Sequence, residues 1–296
     1  MLTIFSIPKP FQGHIDVIQR TAIQSWKLLG PYCEIILFGN EKGTAEIAAE
    51  LGIRHIPEIE RNEYGTPLVN NLFDKAQELA NYDILCYVNA DIILTQDFSI
   101  SVQKVSNKKD QFLLIGQRWD VELNEPLDFT NQRWELEIRR YLAKYGKLHP
   151  ATGIDYFVFR KGLWGDIPPF AIGRTVWDIW LVYRGLYLKV PVIDATKTIT
   201  AIHQNHDYSH NDRGIIGIWD GPEAQQNRQY YKGYAGNRFF AIRDATWVLT
   251  SKGVKRASPV RVLYYRTIAT SKPYILAPTR LLRKVHKLIK DKGSKT

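Results

Sequence analysis

Apolar residues in the first half of the chain fall into short, nearly continuous runs. Between the runs they recur every three or four positions. The runs are "LTIFSI" (2–7), "EIILFG" (34–39), "IRHI" (53–56), "DILCYVNADIILTQDF" (83–98) and "FLLIG" (112–116). Runs of this length bounded by turn residues predict buried strands. Residues 16–29 place Val17, Ile18, Ala22, Ile23, Trp26 and Leu29 close to helical spacing, and 44–51 predicts a short helix. Residues 66–80 predict a third helix, with Thr66 as N-cap and Pro67 at the first helical position. Strands alternating with helices predict an α/β fold, a mostly parallel sheet flanked by helices. In such sheets ligands sit outside the carboxyl ends of the strands, so the loops after the first, second and fourth runs matter most.

The second half is more mixed. Helices are expected over 131–145 and 175–185, and extended segments over "DYFVFR" (155–160), "YLKVPVI" (187–193) and "TITAIHQ" (198–204). No internal repeat or low-complexity segment appears, and the last forty-odd residues lose the strand pattern.

Composition adds three constraints. At 45% hydrophobic and 24% charged the chain is of ordinary globular type, long enough for one large domain or two smaller ones. Cys33 and Cys86 sit in or beside apolar runs, which fits a reducing cytoplasm better than a disulfide framework. The N-terminal residues lack a basic stretch and a long apolar core, so no signal peptide is expected, and no run of eighteen apolar residues predicts a membrane span.

The net charge of +10 is uneven. From Ser251 onward thirteen Lys and Arg face the single acid Asp291, so a tail of +12 leaves −2 for the first 250 residues. The bulk charge therefore says nothing about the ligand of the body, and nucleic acid is not expected as a partner. Within the tail, "RLLRKVHKLIK" (280–290) puts Leu281, Leu282, Val285, Leu288 and Ile289 on one helical face and Arg283, Lys284, Lys287 and Lys290 on the other. This basic amphipathic helix suits an anionic membrane surface, where each basic residue contributes about 1 kcal/mol. Packing on the body or binding a partner would use the same pattern.

Candidate chemistry begins at the fourth run. Asn89 and Asp91 stand two apart where a strand ends, and so project to the same side. Mg²⁺ or Mn²⁺ takes such oxygen ligands and shares them with a diphosphate; a turn with a capping Asp is the plain alternative. Asp178 opens a helical stretch that ends on Arg184-Gly185, a basic last turn and a stop. It is either a helix cap or a carboxylate available to a reaction. Trp177 and Trp180 beside it would make a sugar-stacking wall or belong to the core. His203 ends the last extended run, so its position is the best fixed, and His206 and His210 follow it; a solvated loop is the plain reading of any one of them.

The order "LTIFSIPKP", "EIILFGNEKGTAEIAAELGIRHI" and "GTPLVNNLFDKAQELANYDILCYVNADIILTQDF" resembles the nucleotide-binding half of GT-A glycosyltransferases. The likeness is to the large inverting group that includes cellulose and chitin synthases and many bacterial polysaccharide transferases. It implies a GT-A fold, a nucleotide diphosphate sugar donor, a glycan or lipid-linked acceptor, and Mn²⁺ or Mg²⁺. In that family a D-x-D motif ends the fourth strand, its last carboxylate on the metal and its first residue on the ribose or sugar. Asp91 takes the metal position, and Asn89 replaces the first Asp. Residues 174–196 are similar to the family's E-D-x-x-L-x-x-R segment, whose Asp is the general base. Asp178 matches it, with Trp177 where Glu is common. A late His that completes the metal shell corresponds to His203, with His206 second and His210 left as loop.

The resemblance also places Ser6 to Pro8 and Asn40-Glu41 on the nucleotide and Asn71 facing it, and makes Asp155 a second catalytic candidate that would hold an acceptor hydroxyl, with a turn cap as the plain alternative; Arg118 and Trp119, just past the fifth strand, are set toward the acceptor. It implies a domain over 1–250, with a donor half (1–117) and an acceptor half (118–250), followed by the tail 251–296. The expected location is the cytoplasm, at the inner face of the membrane if the tail docks there. A retaining transferase on the same fold fits a metal carboxylate plus a late His as well. A sugar nucleotidyltransferase needs a glycine-rich basic signature that "SIPKPFQGH" lacks. A nucleic-acid-binding protein rests on charge alone.

Overall fold

The computed structural model describes residues 1–123, 125–205 and 219–258. Strands β1 (Leu2–Ser6), β2 (Cys33–Phe38), β3 (Arg54–Ile56) and β4 (Ile84–Val88) pair in parallel in the order β3-β2-β1-β4. Helices α1 (Gly13–Lys27), α2 (Thr44–Leu51) and α3 (Val69–Leu79) connect them. After β4 come β5 (Ile92–Leu94), α4 (Gln96–Ser106), β6 (Leu113–Ile115), β7 (Arg118–Val121), α5 (Trp134–Tyr145), β8 (Lys147–Leu148), β9 (Tyr156–Arg160), α6 (Trp177–Tyr187), β10 (Val192–Asp194) and β11 (Ala201–Gln204). Helix α7 (Pro222–Ala235) and strands β12 (Trp247–Thr250) and β13 (Gly253–Arg256) follow.

The large sheet has the order β13-β12-β10-β6-β9-β4-β1-β2-β3, and the small one β5-β11-β7-β8. In the large sheet β9 lies antiparallel between β4 and β6, and β13 antiparallel to β12; the remaining pairs are parallel. Central strands are buried on both faces, which is why β1 and β4 read as continuous apolar runs. Alternate residues still go to different cores: Leu85 and Tyr87 to one face, Ile84, Cys86 and Val88 to the other.

The first face holds an aromatic cluster. Phe73 lies 5.2 Å from Phe5 and stacks on Tyr87 and Phe159, each at 5.7 Å between ring centroids. Truncating so large a buried ring removes apolar area and leaves a void, at a cost of about 3–5 kcal/mol. Phe73→Ala is therefore expected to lose that much stability in urea titration; a loss below about 1 kcal/mol would show that the cluster collapses onto the gap.

Several sequence expectations shift. Thr66 and Pro67 do not start α3. Pro67 accepts from the Ile172 amide, and the Leu68 and Val69 amides donate to Glu60 and Phe170. These bonds hold Pro67 and Leu68 extended, and the helix begins at Val69. The segment 187–193 is not one strand: α6 runs to Tyr187, and Lys189 turns the chain at φ +58° before β10. Helix α7 was not legible because its buried positions are Glu223, Ala224, Asn227 and Tyr231, mostly polar. Strand β13 lies within the stretch expected as tail, and the compact unit extends to Arg256. The expected helix over 280–290 lies outside the described residues. Among the described residues no helix is long and apolar enough to cross a membrane.

Candidate active site

The carboxyl ends of β3, β2, β1 and β4 share one edge of the large sheet, because all four run in the same direction. The segments leaving that edge are 57–61, Gly39-Asn40-Glu41, Ile7-Pro8-Lys9 and Asn89-Ala90-Asp91. The last of these is a turn, closed by the Ile92 amide on the Asn89 carbonyl at 3.1 Å. It takes the chain from β4 in the large sheet to β5 in the small one. The single apolar run of the sequence is thus two strands of two sheets, and its polar interruption is the crossing.

Asn89 is held on three sides. The Tyr87 hydroxyl donates to Asn89 Oδ1 at 2.9 Å, Asn89 Nδ2 donates to Asp155 Oδ1 at 2.6 Å, and the Asn89 amide donates to the Asp155 carbonyl at 2.9 Å. Arg118 Nη1 donates to Asp155 Oδ2 at 2.9 Å. Asp155 is 6% exposed with both carboxylate oxygens engaged, so here it braces Asn89. This pairing accounts for an amide at 89, since a carboxylate would stand against Asp155. Asn89→Asp replaces a donated hydrogen bond with like charges in a buried site, and is expected to cost about 1–3 kcal/mol at pH 7. Denaturant titration checks this; an unchanged midpoint would mean that Arg118 neutralises both acids.

Asp91 meets the small sheet. His203 on β11 lies with Nε2 3.7 Å from Asp91 Oδ2 and Nδ1 3.4 Å from Asp120 Oδ1. Asp120 also accepts from Arg118 Nε at 2.8 Å and pairs with His149 Nδ1 at 2.5 Å. Arg118, set toward the acceptor by the sequence, thus ties Asp155 to Asp120. Burial tends to raise the Asp120 carboxyl, but His149 and Arg118 outweigh it and hold Asp120 below its ordinary range. Lys9 lies close enough for its charge to feel Asp91; burial lowers its ammonium pKa and Asp91 opposes that. Its backbone is clasped by the buried Gln19 side chain, which accepts from the Lys9 amide at 2.7 Å and donates to its carbonyl at 2.9 Å. Lys9, Asp120 and His149 were not singled out from the sequence; only their places after β1, on β7 and after β8 draw attention to them.

Asp178 lies in the first turn of α6. The residue before the helix, Val176, has φ +72°, a left-handed conformation that costs a β-branched side chain about 1–3 kcal/mol. Burial, with a contribution from the Asp155 charge, pushes the Asp178 carboxyl up to about 7, against the lowering effect of the helix amides and Arg118. Trp177 and Trp180 do not form a sugar-stacking wall. They are 6% and 0% exposed, and Trp177 packs edge-on against Tyr87 at 5.2 Å. That contact docks the start of α6 against the end of β4. Burial is the largest cause that raises the Tyr87 hydroxyl, and the charges of Asp91, Asp155 and Asp178 add to it, so all three carboxylates lie within electrostatic reach of that group.

At the other end of the edge, Arg61 donates to Asn40 Oδ1 at 3.0 Å and to Glu41 Oε1 at 2.8 Å. Gly39, at φ +89°, leaves the space into which Glu41 Oε2 turns; a Cβ there would stand 2.5 Å from that oxygen. Asn40, residues 57–61 and Lys75 line a cleft of about 510 Å³. Asn71 Oδ1 accepts from the Glu60 amide and so braces that wall, while the neighbouring Asn70 keeps a buried carbonyl oxygen without a hydrogen bond. Ser6 is buried with its hydroxyl on the Val88 carbonyl at 2.6 Å, and Pro8 is buried beside it. Trp119 is partly buried against the small sheet's own core. His206 and His210 lie outside the described residues.

Asp91 and His203 are the residues that would hold a cation here, Asn89 would meet a polar group, and Asp178 is the carboxyl whose ionisation burial delays. Among the described residues no group of three or more His, Cys, Asp or Glu is arranged to hold a metal by itself. The Asp91–His203 span is too long for a hydrogen bond. It falls between the cis and trans separations of two ligands around a cation with bonds of about 2.1 Å.

No protein-family model matches the chain, and no curated protein matches it. Among solved structures, glucosyl-3-phosphoglycerate synthase from Mycobacterium tuberculosis in complex with UDP is 14% identical, covering 87% of this chain and 87% of that one, at a TM-score of 0.49. A mycobacterial protein is 16% identical over 80% of this chain and 75% of that one, at 0.48. The same synthase with Mn²⁺, UDP-glucose and phosphoglyceric acid is 13% identical over 80% of each chain, at 0.47. With identities this low and TM-scores below 0.5, the chemistry of the site rests on this chain's own residues.

Proposed function

We propose that this chain is a metal-assisted glycosyltransferase. It moves a sugar from a nucleoside diphosphate sugar to a hydroxyl of a glycan or lipid-linked glycan, with inversion. The observation that carries this reading is the geometry at the end of β4: Asp91 Oδ2 lies 3.7 Å from His203 Nε2, beside Asn89, which Asp155 holds, with Asp178 in the first turn of α6, and the three carboxylates are in different states. Asp155 is locked by Asn89 and Arg118, Asp91 faces an imidazole, and Asp178 is pushed up to about 7.

Asp91 and His203 would hold Mn²⁺, which accepts an imidazole beside a carboxylate; Mg²⁺ would rest mainly on the Asp91 carboxylate. When bound, the ion would neutralise charge on the leaving diphosphate. Asp178, ionised, takes the proton of the acceptor hydroxyl as its oxygen attacks the anomeric carbon. The bond from that carbon to the diphosphate breaks, and its electron pair leaves with the phosphate oxygen. Residues 1–117 supply the donor edge, with the cleft at Asn40 and Arg61 as the nucleoside end; 118–250 supply the acceptor side.

Incubation with Mn²⁺ and a panel of nucleotide sugars tests the reading. At least one donor is expected to stabilise the protein thermally and to be hydrolysed slowly, and NMR of the transfer product is expected to show the inverted anomer. If no nucleotide sugar does either with Mn²⁺ or Mg²⁺, the proposal fails; a retained anomer would remove Asp178 as an inverting base. Membrane docking belongs to the tail and is tested separately. Removing 257–296, beyond β13, is expected to end retention on anionic vesicles while leaving transfer to a soluble acceptor intact.

A further inference from the structure

The small sheet lines up four ionisable groups, one from each strand or its flank. Asp91 leads into β5, His203 is on β11, Asp120 is on β7, and His149 follows β8. The register sets the row: His203 pairs with Ile92 of β5 on one side and Asp120 of β7 on the other, and Asp120 pairs with Lys147 of β8. Acid and imidazole alternate along it, at 3.7 Å, 3.4 Å and 2.5 Å. The far end is built with care. The His149 amide donates to the Arg118 carbonyl at 2.9 Å, its carbonyl accepts from the Gln117 side chain at 2.6 Å, and a Cβ at Gly153 would strike its ring at 2.2 Å. Asp120 is therefore fixed from behind by His149 and from the side by Arg118, which leaves it one direction in which to act, toward His203.

We propose that Asp120 is a positioning residue that holds His203 as the Nδ1–H tautomer, so that the Nε2 lone pair faces Asp91 and a shared divalent cation. This rests on the metal reading given above. A ligand imidazole has one nitrogen on the ion and donates from the other, and a carboxylate behind it fixes the ring and makes it more basic. Asp120 occupies that place. His149 and Arg118 act one step further back, since they keep Asp120 ionised and oriented.

Two measurements test it. In ¹⁵N-histidine-labelled protein, with His203 identified by its loss in His203→Gln, long-range ¹H–¹⁵N spectra are expected to show His203 protonated at Nδ1 and bare at Nε2. This needs no variant of Asp120, and protonation at Nε2 would overturn the proposal. Separately, Mn²⁺ affinity is read by water-proton relaxation, with Mn²⁺ alone and with Mn²⁺ plus inorganic pyrophosphate. Asp120→Asn, nearly isosteric, is expected to weaken Mn²⁺ binding about 10–100-fold. His149→Gln, whose amide can still donate to Asp120, is expected to weaken it less. Native affinity in Asp120→Asn alongside weakened binding in Asp91→Ala would overturn the role of Asp120 and leave the metal site standing. Native affinity in Asp91→Ala would remove the metal from this site and the role of Asp120 with it.

Discussion

Asp91→Ala is expected to abolish metal-dependent donor binding and to lower transfer on the order of 10³-fold. The magnitude follows from the electrostatics. A cation on the leaving diphosphate is worth several kcal/mol at the transition state, and each 1.36 kcal/mol is a factor of ten in rate. With Asp91 removed, His203 alone offers the ion one neutral nitrogen, a poor site for a hard cation. The same substitution also leaves the half-buried Lys9 without the nearby charge that supports its ammonium, so its pKa falls further. The measurement is thermal stabilisation by a nucleoside diphosphate with and without Mn²⁺, together with product formation. A variant that keeps Mn²⁺-dependent stabilisation would place the metal, and the donor phosphates, elsewhere.

The second large effect belongs to Asp178. Asp178→Asn keeps the size of the side chain but cannot accept a proton. Transfer is expected to fall about 10²–10⁴-fold with donor binding unchanged, the usual contribution of a positioned base. The wild-type rate is expected to rise with pH through about 7, because the carboxyl must be ionised to act and burial delays its ionisation. Stability runs the other way. Below the ordinary value of 3.8 both folded and unfolded chains carry the proton, and the group has no effect on folding. Between there and about 7 the unfolded chain ionises first, so the wild type loses stability as pH rises; above about 7 the loss levels off. Asp178→Asn removes this term. The variant is thus expected to be more stable than the wild type at pH 8 and to converge with it near pH 3. An acid limb that persists in the variant, or transfer at the native rate, would exclude Asp178 as the base.

The two substitutions also separate the halves of the reaction. Asp91→Ala strikes the step in which donor and cation assemble, and Asp178→Asn the step in which the acceptor loses its proton. Loss of donor binding in both would mean that Asp178 supports the fold of the edge, through the Trp177–Tyr87 contact, and does no chemistry.

Much of the frame was legible in the chain because burial on both faces of a parallel sheet forces near-continuous apolar runs. β1, β2 and β9 fall within a residue or two of their runs, and α2 matches its predicted span. Elements whose stability comes from partners were harder to read. Helix α7 is held by Glu223 on Asn62 and Arg174 and by Asn227 on the backbone of Ala171 and Thr175. Such bonds span many residues of sequence and leave no periodic trace. The fourth run, Ile84 to Leu94, concealed a change of sheet, since hydropathy reports burial and not which sheet buries a residue.

Sequence alone fixed Asn89 and Asp91 at a strand's end and Asp178 at a helix's start, because those places follow from local pattern. It determined the basic tail and the near-neutral body as well, since charge is a property of composition. Tertiary structure alone decided how those groups are used: that Asp155 serves Asn89, that Trp177 and Trp180 are core, and that Arg61 holds Asn40 and Glu41. It alone brought Asp120, His149 and Lys9 to Asp91 and His203. The physical reason is that the small sheet joins strands from 92 to 204 through hydrogen bonds between backbone amides and carbonyls, which nearly every residue carries whatever its side chain, so which distant strands pair is not marked by the residues they align.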